Sequence, residues 1–302
     1  MARKRKMNRN TVLFILFCTV VPLLNFLIFY IYTNSSALIM AFTDNKGQAT
    51  FDNFIRFGKE LVNPDSQIRI AIKNTMITFA IGVVVFPGRV LVSYFIYKKI
   101  PGHKFYRVVF FLPTIIFSVA VALIFQRMIG TTGFIAQWIG DVAGLEKTPE
   151  LLADSRFANY TIWAHMLWLG FPGDLIIWGG TFSRIPDDVL ESARLDGASW
   201  WNEFTRIIIP MVWPTVALQM VLMTCGIFGS TGAVWLLTKG EFGTHTISSW
   251  TYKVLLENSG NAYSSNVYNY LSAVGLVFTV IAILLSTVIR RWSDKRFEEV
   301  EF

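Results

Sequence analysis

An all-helical, polytopic membrane protein with six transmembrane helices is the predicted fold class, and three observations predict it. Of 302 residues, 53% are hydrophobic and only 16% charged, where a globular soluble domain carries about 25% charge. Six uncharged or nearly uncharged runs stand out, at roughly 11–33, 74–97, 108–126, 159–182, 207–238 and 267–289. Each is long enough for the about 20 residues that cross a ~30 Å hydrocarbon core. The runs also lack the short alternation of barrel strands, and lipid offers backbone groups no partner, so each is a helix. This composition excludes a disordered chain, an ordinary cytosolic enzyme and a basic nucleic-acid binder.

The first run follows Arg3-Lys4-Arg5-Lys6 and could begin as a signal peptide. Its apolar core far exceeds the 7–15 residues of such a peptide, so an uncleaved helix is expected. The second carries Pro87-Gly88 just before Arg89, and the fourth Pro172-Gly173 just before Asp174. The fifth is longer than one crossing needs and holds Pro210, Pro214, Gly226, Gly229 and Gly232. It reads as a kinked helix with an interfacial start and a frayed end.

Orientation follows from Lys and Arg. One set of flanks (1–10, 98–107, 183–206 and 290–302) holds 16 basic residues in 57 positions; the other (34–73, 127–158 and 239–266) holds 10 in 100. Both termini are therefore expected in the cytoplasm, and the net charge of +7 is a topology signal. The division expected is a basic tail at 1–10, a six-helix domain at 11–289 with a cytoplasmic loop at 183–210, and a second tail at 290–302.

Catalytic signatures are absent. There is no G-x-x-x-x-G-K-[ST] phosphate loop, no His-Glu-x-x-His pair and no Gly-x-Ser-x-Gly elbow. His103, His165 and His245 are scattered over an inner loop, a span and an outer loop, and read as unrelated polar side chains. Cys18 and Cys225 lie in separate apolar runs and support neither a disulfide framework nor a metal site. A membrane-embedded enzyme would need acid/base or metal-binding groups clustered at one depth, and a channel a filter or charged ring. Neither is found.

Arg89 and Asp174 are the two charges deep in the spans. Each lies 15 residues beyond its outer entry, at Asn74 and Asn159, so both sit ~22 Å down. A lone charge there costs ~2.5–3.5 kcal/mol on the mildest scale. An Arg89–Asp174 ion pair joining the second and fourth helices is expected. The alternatives are Arg89 snorkelling inward and Asp174 meeting a solute or a partner.

The loop 183–210 is the informative stretch. Pro186 suits a first helical turn, Asp187 and Asp188 complement the helix dipole, and Asp188-x-x-Glu191 has capping-box spacing. Gly197 can stop this helix. A second helix would align Trp200, Phe204, Ile207 and Ile208 on one apolar face. Such a helix–bend–helix suits docking in a partner's groove or lying on the bilayer surface.

The loop resembles the signature of ABC importer permeases: Glu-Ala-Ala, three residues, Gly, nine residues, Ile-x-Leu-Pro. It stands here as Glu191-Ser192-Ala193, Gly197, then Ile207, Ile209 and Pro210. Ser192 and Ile209 depart mildly, and Asp196-Gly197-Ala198 is similar to the carbohydrate branch. Asn74-Thr75, Tyr106-Arg107, Leu112-Pro113, Trp168-Leu169-Gly170-Phe171-Pro172 and Leu236-Leu237-Thr238 extend the likeness over about 51–290. The pattern resembles the maltose-transporter F-type subunits most. Gly240-Glu241-Phe242 stands where the family usually has Gly-Gly-Pro.

The resemblance implies a subunit of a bacterial inner-membrane importer. It would work with a second permease, two cytoplasmic ATPases that carry ATP and Mg, and an extracellular solute-binding protein. It would need no cofactor of its own and bind no nucleic acid. Glu191, Ser192, Ala193, Asp196, Gly197, Trp200, Phe204, Ile207 and Pro210 would couple to the ATPase. A carbohydrate would contact Trp168 and Gly170 on the fourth helix and Thr224 and Phe228 on the fifth. A non-sugar solute such as glycerol phosphate is the alternative.

Overall fold

A computed structural model describes residues 9–144, 147–171, 174–229, 232–258 and 264–295. The described residues are helical apart from turns and one isolated bridge, Thr43 with Ala49. The helices are α1 Arg9–Asn25 (prolonged by a π-helical Phe26–Tyr32 and by Thr33–Ala41), α2 Asp52–Val62, α3 Gln67–Tyr97, α4 His103–Ile115 and α5 Ser118–Ile129. Then come α6 Phe134–Ala143, α7 Ala158–Gly170, α8 Leu175–Phe182 and α9 Asp187–Leu195. Next is α10 Trp200–Asn202, prolonged by a π-helical Glu203–Ile208 and by Ile209–Met211. The last four are α11 Trp213–Cys225, α12 Gly232–Thr238, α13 Ile247–Asn258 and α14 Ser264–Asp294.

Four stretches are long and apolar enough to cross a membrane: Leu13–Ala41, Gln67–Tyr97, Ser118–Ala143 and Asn266–Asp294. The pair Trp200–Met211 and Trp213–Cys225, bent by 73°, makes a fifth. The fourth run expected from sequence is interrupted, as α7 and α8 are separate helices. The third is also split, because Ile116 and Phe117 leave the helix with ψ near 130–138° three residues after Pro113. The kink expected in the fifth lies at Val212, between Pro210 and Pro214, where neither proline can donate a backbone hydrogen bond.

The chain divides into two compact units, Met1–Lys59 with Asn258–Phe278, and Glu60–Glu257 with Thr279–Phe302. In the first, Asp44 Oδ1 accepts from the backbone N–H of Lys46 and Gln48, closing the turn after α1. Asn53 and Asn269 donate side-chain hydrogen bonds to the carbonyl of Thr43. Phe57 meets Phe278 edge-on, and Arg56 lies 4.2 Å over the Tyr270 ring.

The second unit is organised around α3. Phe86, Val90 and Tyr94 recur every four residues, the spacing of one helix face, and pack with Trp178, Phe182, Ile185, Leu190, Phe204, Ile208, Val212 and Val216. A second cluster joins Phe125, Ile129, Ala136, Leu151, Ile162, Val234 and Leu237. Between α5 and α12, Gln126 donates to the carbonyls of Leu236 and Leu237 at 3.1 and 3.2 Å.

Candidate coupling loop and membrane site

The segment 187–211 folds as helix, turn and helix. Helix α9 starts after Pro186, whose extended ψ of 135° places it just outside the helix rather than in its first turn. The capping box expected of Asp188 and Glu191 is not formed, since the cap position belongs to Pro186 and no side chain caps the helix. Asp187 and Asp188 still lie in the first turn and favour the dipole.

Gly197 ends α9 with φ +75°, and the N–H of Ala198 reaches back to the carbonyl of Ala193 at 2.9 Å. That conformation costs roughly 1–2 kcal/mol for an L side chain. No atom comes within 4 Å of the place a Cβ would occupy, so glycine is required here by the backbone and the outer side is open. Ser199 then caps α10 by accepting from the N–H of Asn202.

The apolar face expected to dock elsewhere is divided. Phe204 and Ile208 are buried in this chain's own core, with Phe204 5.0 Å from the Tyr94 ring. Ala193 is buried as well, and Ile207 and Pro210 are half-buried. The uncovered side consists instead of Leu195, 89% exposed, Trp200 and Trp201, each about half exposed, and the exposed Glu191, Ser192, Asp196 and Gly197. The correction has a physical cause. Phe204 and Ile208 share a face, as regular helical spacing expects, and that face turns inward; the π turn over Glu203–Ile208 brings Glu203 onto the same side, which a 3.6-residue period does not foresee.

Sequence reasoning missed the polar contacts that fasten this loop. Glu203 is 2% exposed; its carboxylate accepts from Lys98 Nζ at 2.7 Å and from the Tyr94 hydroxyl at 3.1 Å. The one available signal was a carboxylate beside Phe204 in an otherwise apolar stripe. The N-terminal part of α3 is pinned too. The buried Asn74 amide donates to the carbonyls of Gly243 and His245 at 2.7 and 2.9 Å, and Asn159 reaches Gly243 at 3.2 Å. In that turn, Lys253 holds the Glu241 carboxyl below its usual range, while burial and then Lys253 lower His245.

Arg89 and Asp174 meet in the interior, Nη2 to Oδ2 at 2.6 Å, with 20% and 18% of their side chains exposed. Pro172 and Gly173, which precede Asp174 in the sequence, lie outside the described residues. Of the solute candidates, Trp168 is 41% exposed and stacks on Phe125, Gly170 has open space where a Cβ would stand, and Phe228 is half-buried. Thr224 is fully buried and its hydroxyl donates to the Met220 carbonyl at 2.8 Å, so it presents nothing to a solute here. A cavity of about 390 Å³ lies between α3, α4 and α8, lined by Ser93, Tyr97, Arg107, Phe111 and Gly179 among others. Another of about 160 Å³ lies beside Thr78, Phe79, Gly82 and Met223. None of the four solute candidates lines either. No group of three metal-binding side chains occurs among the described residues.

A family model described as binding-protein-dependent transport system inner membrane component matches residues 1–299. Similar curated proteins include a probable ABC transporter permease of Brucella abortus, 30% identical over 62% of this chain and 65% of that protein. The maltose/maltodextrin transport system permease protein MalF of Vibrio cholerae is 28% identical over 69% of this chain and 42% of its own length. The multiple sugar-binding transport system permease protein MsmF of Streptococcus mutans is 24% identical over 92% and 94%. This chain thus spans about two thirds of the Brucella relative and under half of MalF. A bacterial ABC transporter involved in import of the acidic polysaccharide alginate shares the fold, with TM-score 0.77 and 23% identity over 94% of this chain and 96% of that one.

Proposed function

The chain belongs to the binding-protein-dependent transport system inner membrane components, and on that premise we propose that it is one permease subunit of an ATP-driven carbohydrate importer. The observation that carries this reading is the loop 187–211: anchored inward by Phe204 and Ile208, with Leu195, Trp200 and Trp201 left uncovered beside an open Gly197. A helical hairpin of that shape offers a groove-bearing partner two apolar knobs and a gap between them. The partner is a cytoplasmic ATPase, which carries the ATP and Mg that this chain has no phosphate loop to hold. The chain lies in the bacterial inner membrane, and loop and termini face the cytoplasm, in keeping with the basic flanks.

The solute is a sugar or oligosaccharide. MalF and MsmF carry sugars in their names, and one solved relative is an alginate transporter in complex with an alginate pentasaccharide-bound periplasmic protein. Trp168 and Gly170 are reachable and of the right chemistry, an aromatic face for the apolar side of a sugar ring and room beside it. A second permease completes the pore, and an extracellular binding protein delivers the solute. ATP binding draws the coupling loops together, and the bundles swing as rigid bodies between inward and outward access.

Purification with the products of neighbouring genes is expected to yield a complex whose ATP hydrolysis rises when loaded binding protein is added. Import of sugar by the single purified chain, without ATP, overturns the reading.

A further inference from the structure

We propose that Glu203 is a positioning residue that makes the coupling loop and helix α3 move as one body through the transport cycle. The inference rests on the coupling role proposed above. The Glu203 carboxylate is 3% exposed, and both of its oxygens are engaged from α3: Lys98 Nζ lies 2.5 Å from Oε1 and the Tyr94 hydroxyl 3.1 Å from the same atom, while Oε2 accepts from Lys98 at 2.7 Å. Arg194, on α9 before the turn, approaches Oε2 at 4.0 Å. One buried carboxylate therefore touches both helices of the loop and the inner end of the long helix.

Its surroundings place it on the path of force. Trp200, uncovered and three residues earlier, packs tilted against Phe95 with ring centroids 5.3 Å apart, and Phe204, the next residue, lies against Tyr94. A push on the exposed tryptophans reaches α3 through these rings. Ring packing alone resists compression but permits sliding; a buried, doubly engaged ion pair fixes register and also resists pulling. Such a pair is often no better for stability than an apolar replacement of equal shape, so directional connection is the better account of why a charge stands here. Helix α3 carries the motion on to Arg89, nine residues outward, and through Asp174 to the break before α8.

The test uses the assembled importer, with Cys18 and Cys225 replaced by Ser, and spin labels at Leu195→Cys on the loop and Val84→Cys on α3. Both positions are exposed, at 89% and 77%. The label-to-label distance is measured without nucleotide and after trapping with ATP and vanadate. With Glu203 intact the distance is expected to stay the same in both states. In Glu203→Gln it is expected to shift or broaden by about 5 Å, one helical turn of slip, and the swap Lys98→Glu with Glu203→Lys is expected to restore it. If Glu203→Gln does not assemble, Lys98→Met, which keeps the Tyr94 bond, carries the same expectation. A wild-type distance that changes on trapping by that amount, or a variant as fixed as wild type, overturns the proposal. A wild-type chain that captures no ATPase gives no trapped state and overturns the transporter reading instead.

Discussion

Arg89 and Asp174 stand within apolar sequence, and each accounts for the other. A lone charge at such depth costs ~2.5–3.5 kcal/mol even on the mildest scale, and their contact at 2.6 Å with about a fifth of each side chain exposed answers that cost. Arg89→Ala and Asp174→Ala are each expected to lower the yield of assembled complex. The double change is expected to cost less than the sum, with a coupling of about 0.5–3 kcal/mol. Additive losses in thermal melts of the four proteins would remove the pair from the account. Both partners were legible in sequence, because a charge inside an apolar run is conspicuous and equal distance from two entries puts them at one level. Glu203 was not legible. In sequence it sits in a loop with seven other charges between 184 and 206, and only the fold shows which of these is buried.

Among the elements, the helix–turn–helix is held inward by apolar packing and outward by nothing among the described residues. Gly197 at φ +75° sets the angle between its arms. Gly197→Leu strains that turn by roughly 1–2 kcal/mol and places a branched chain in the gap between the arms. ATPase capture in a pull-down is expected to fall about tenfold or more, the equivalent of 1.4 kcal/mol, with membrane insertion unchanged. Gly197→Asn, which tolerates this conformation, is expected to lose less. Normal capture by Gly197→Leu would contradict the docking role. The helices and Gly197 were legible from punctuation: a proline, two aspartates, a glycine. The inward turn of Phe204 and Ile208 was not, because the direction their shared face takes depends on Tyr94 and the rest of the distant core it meets.

For the molecule as a whole, the faces it leaves bare point to a partner. No residue of α4 is buried, and none of the apolar window in Leu13–Ala41. Lipid could cover apolar side chains, but it cannot cover backbone. The chain leaves the helix at Ile116 and Phe117, the middle of an apolar run, with Phe117 74% exposed. Non-helical backbone at membrane depth persists only where protein or a watery cavity meets it. Co-expression with the proposed second permease is therefore expected to raise the melting temperature in detergent by about 5 °C or more. Equal melting of the lone chain and the pair would mean that lipid alone covers these faces.

Apolar runs of spanning length, a skewed distribution of Lys and Arg, and the spacing from Glu191 to Pro210 were fixed by residue order alone, because each is a property of one segment in its solvent. They determined an all-helical membrane chain and the position of the candidate coupling loop, while two charges inside apolar runs suggested the pairing that the structure shows. The break between α7 and α8, the 73° size of the bend that Pro210 and Pro214 announced, and the burial of Glu203 between Tyr94, Lys98 and Arg194 came only from the tertiary structure. Each depends on which distant residue fills the space beside it: Lys98 and Glu203 are 105 residues apart, and nothing local to either says that they meet.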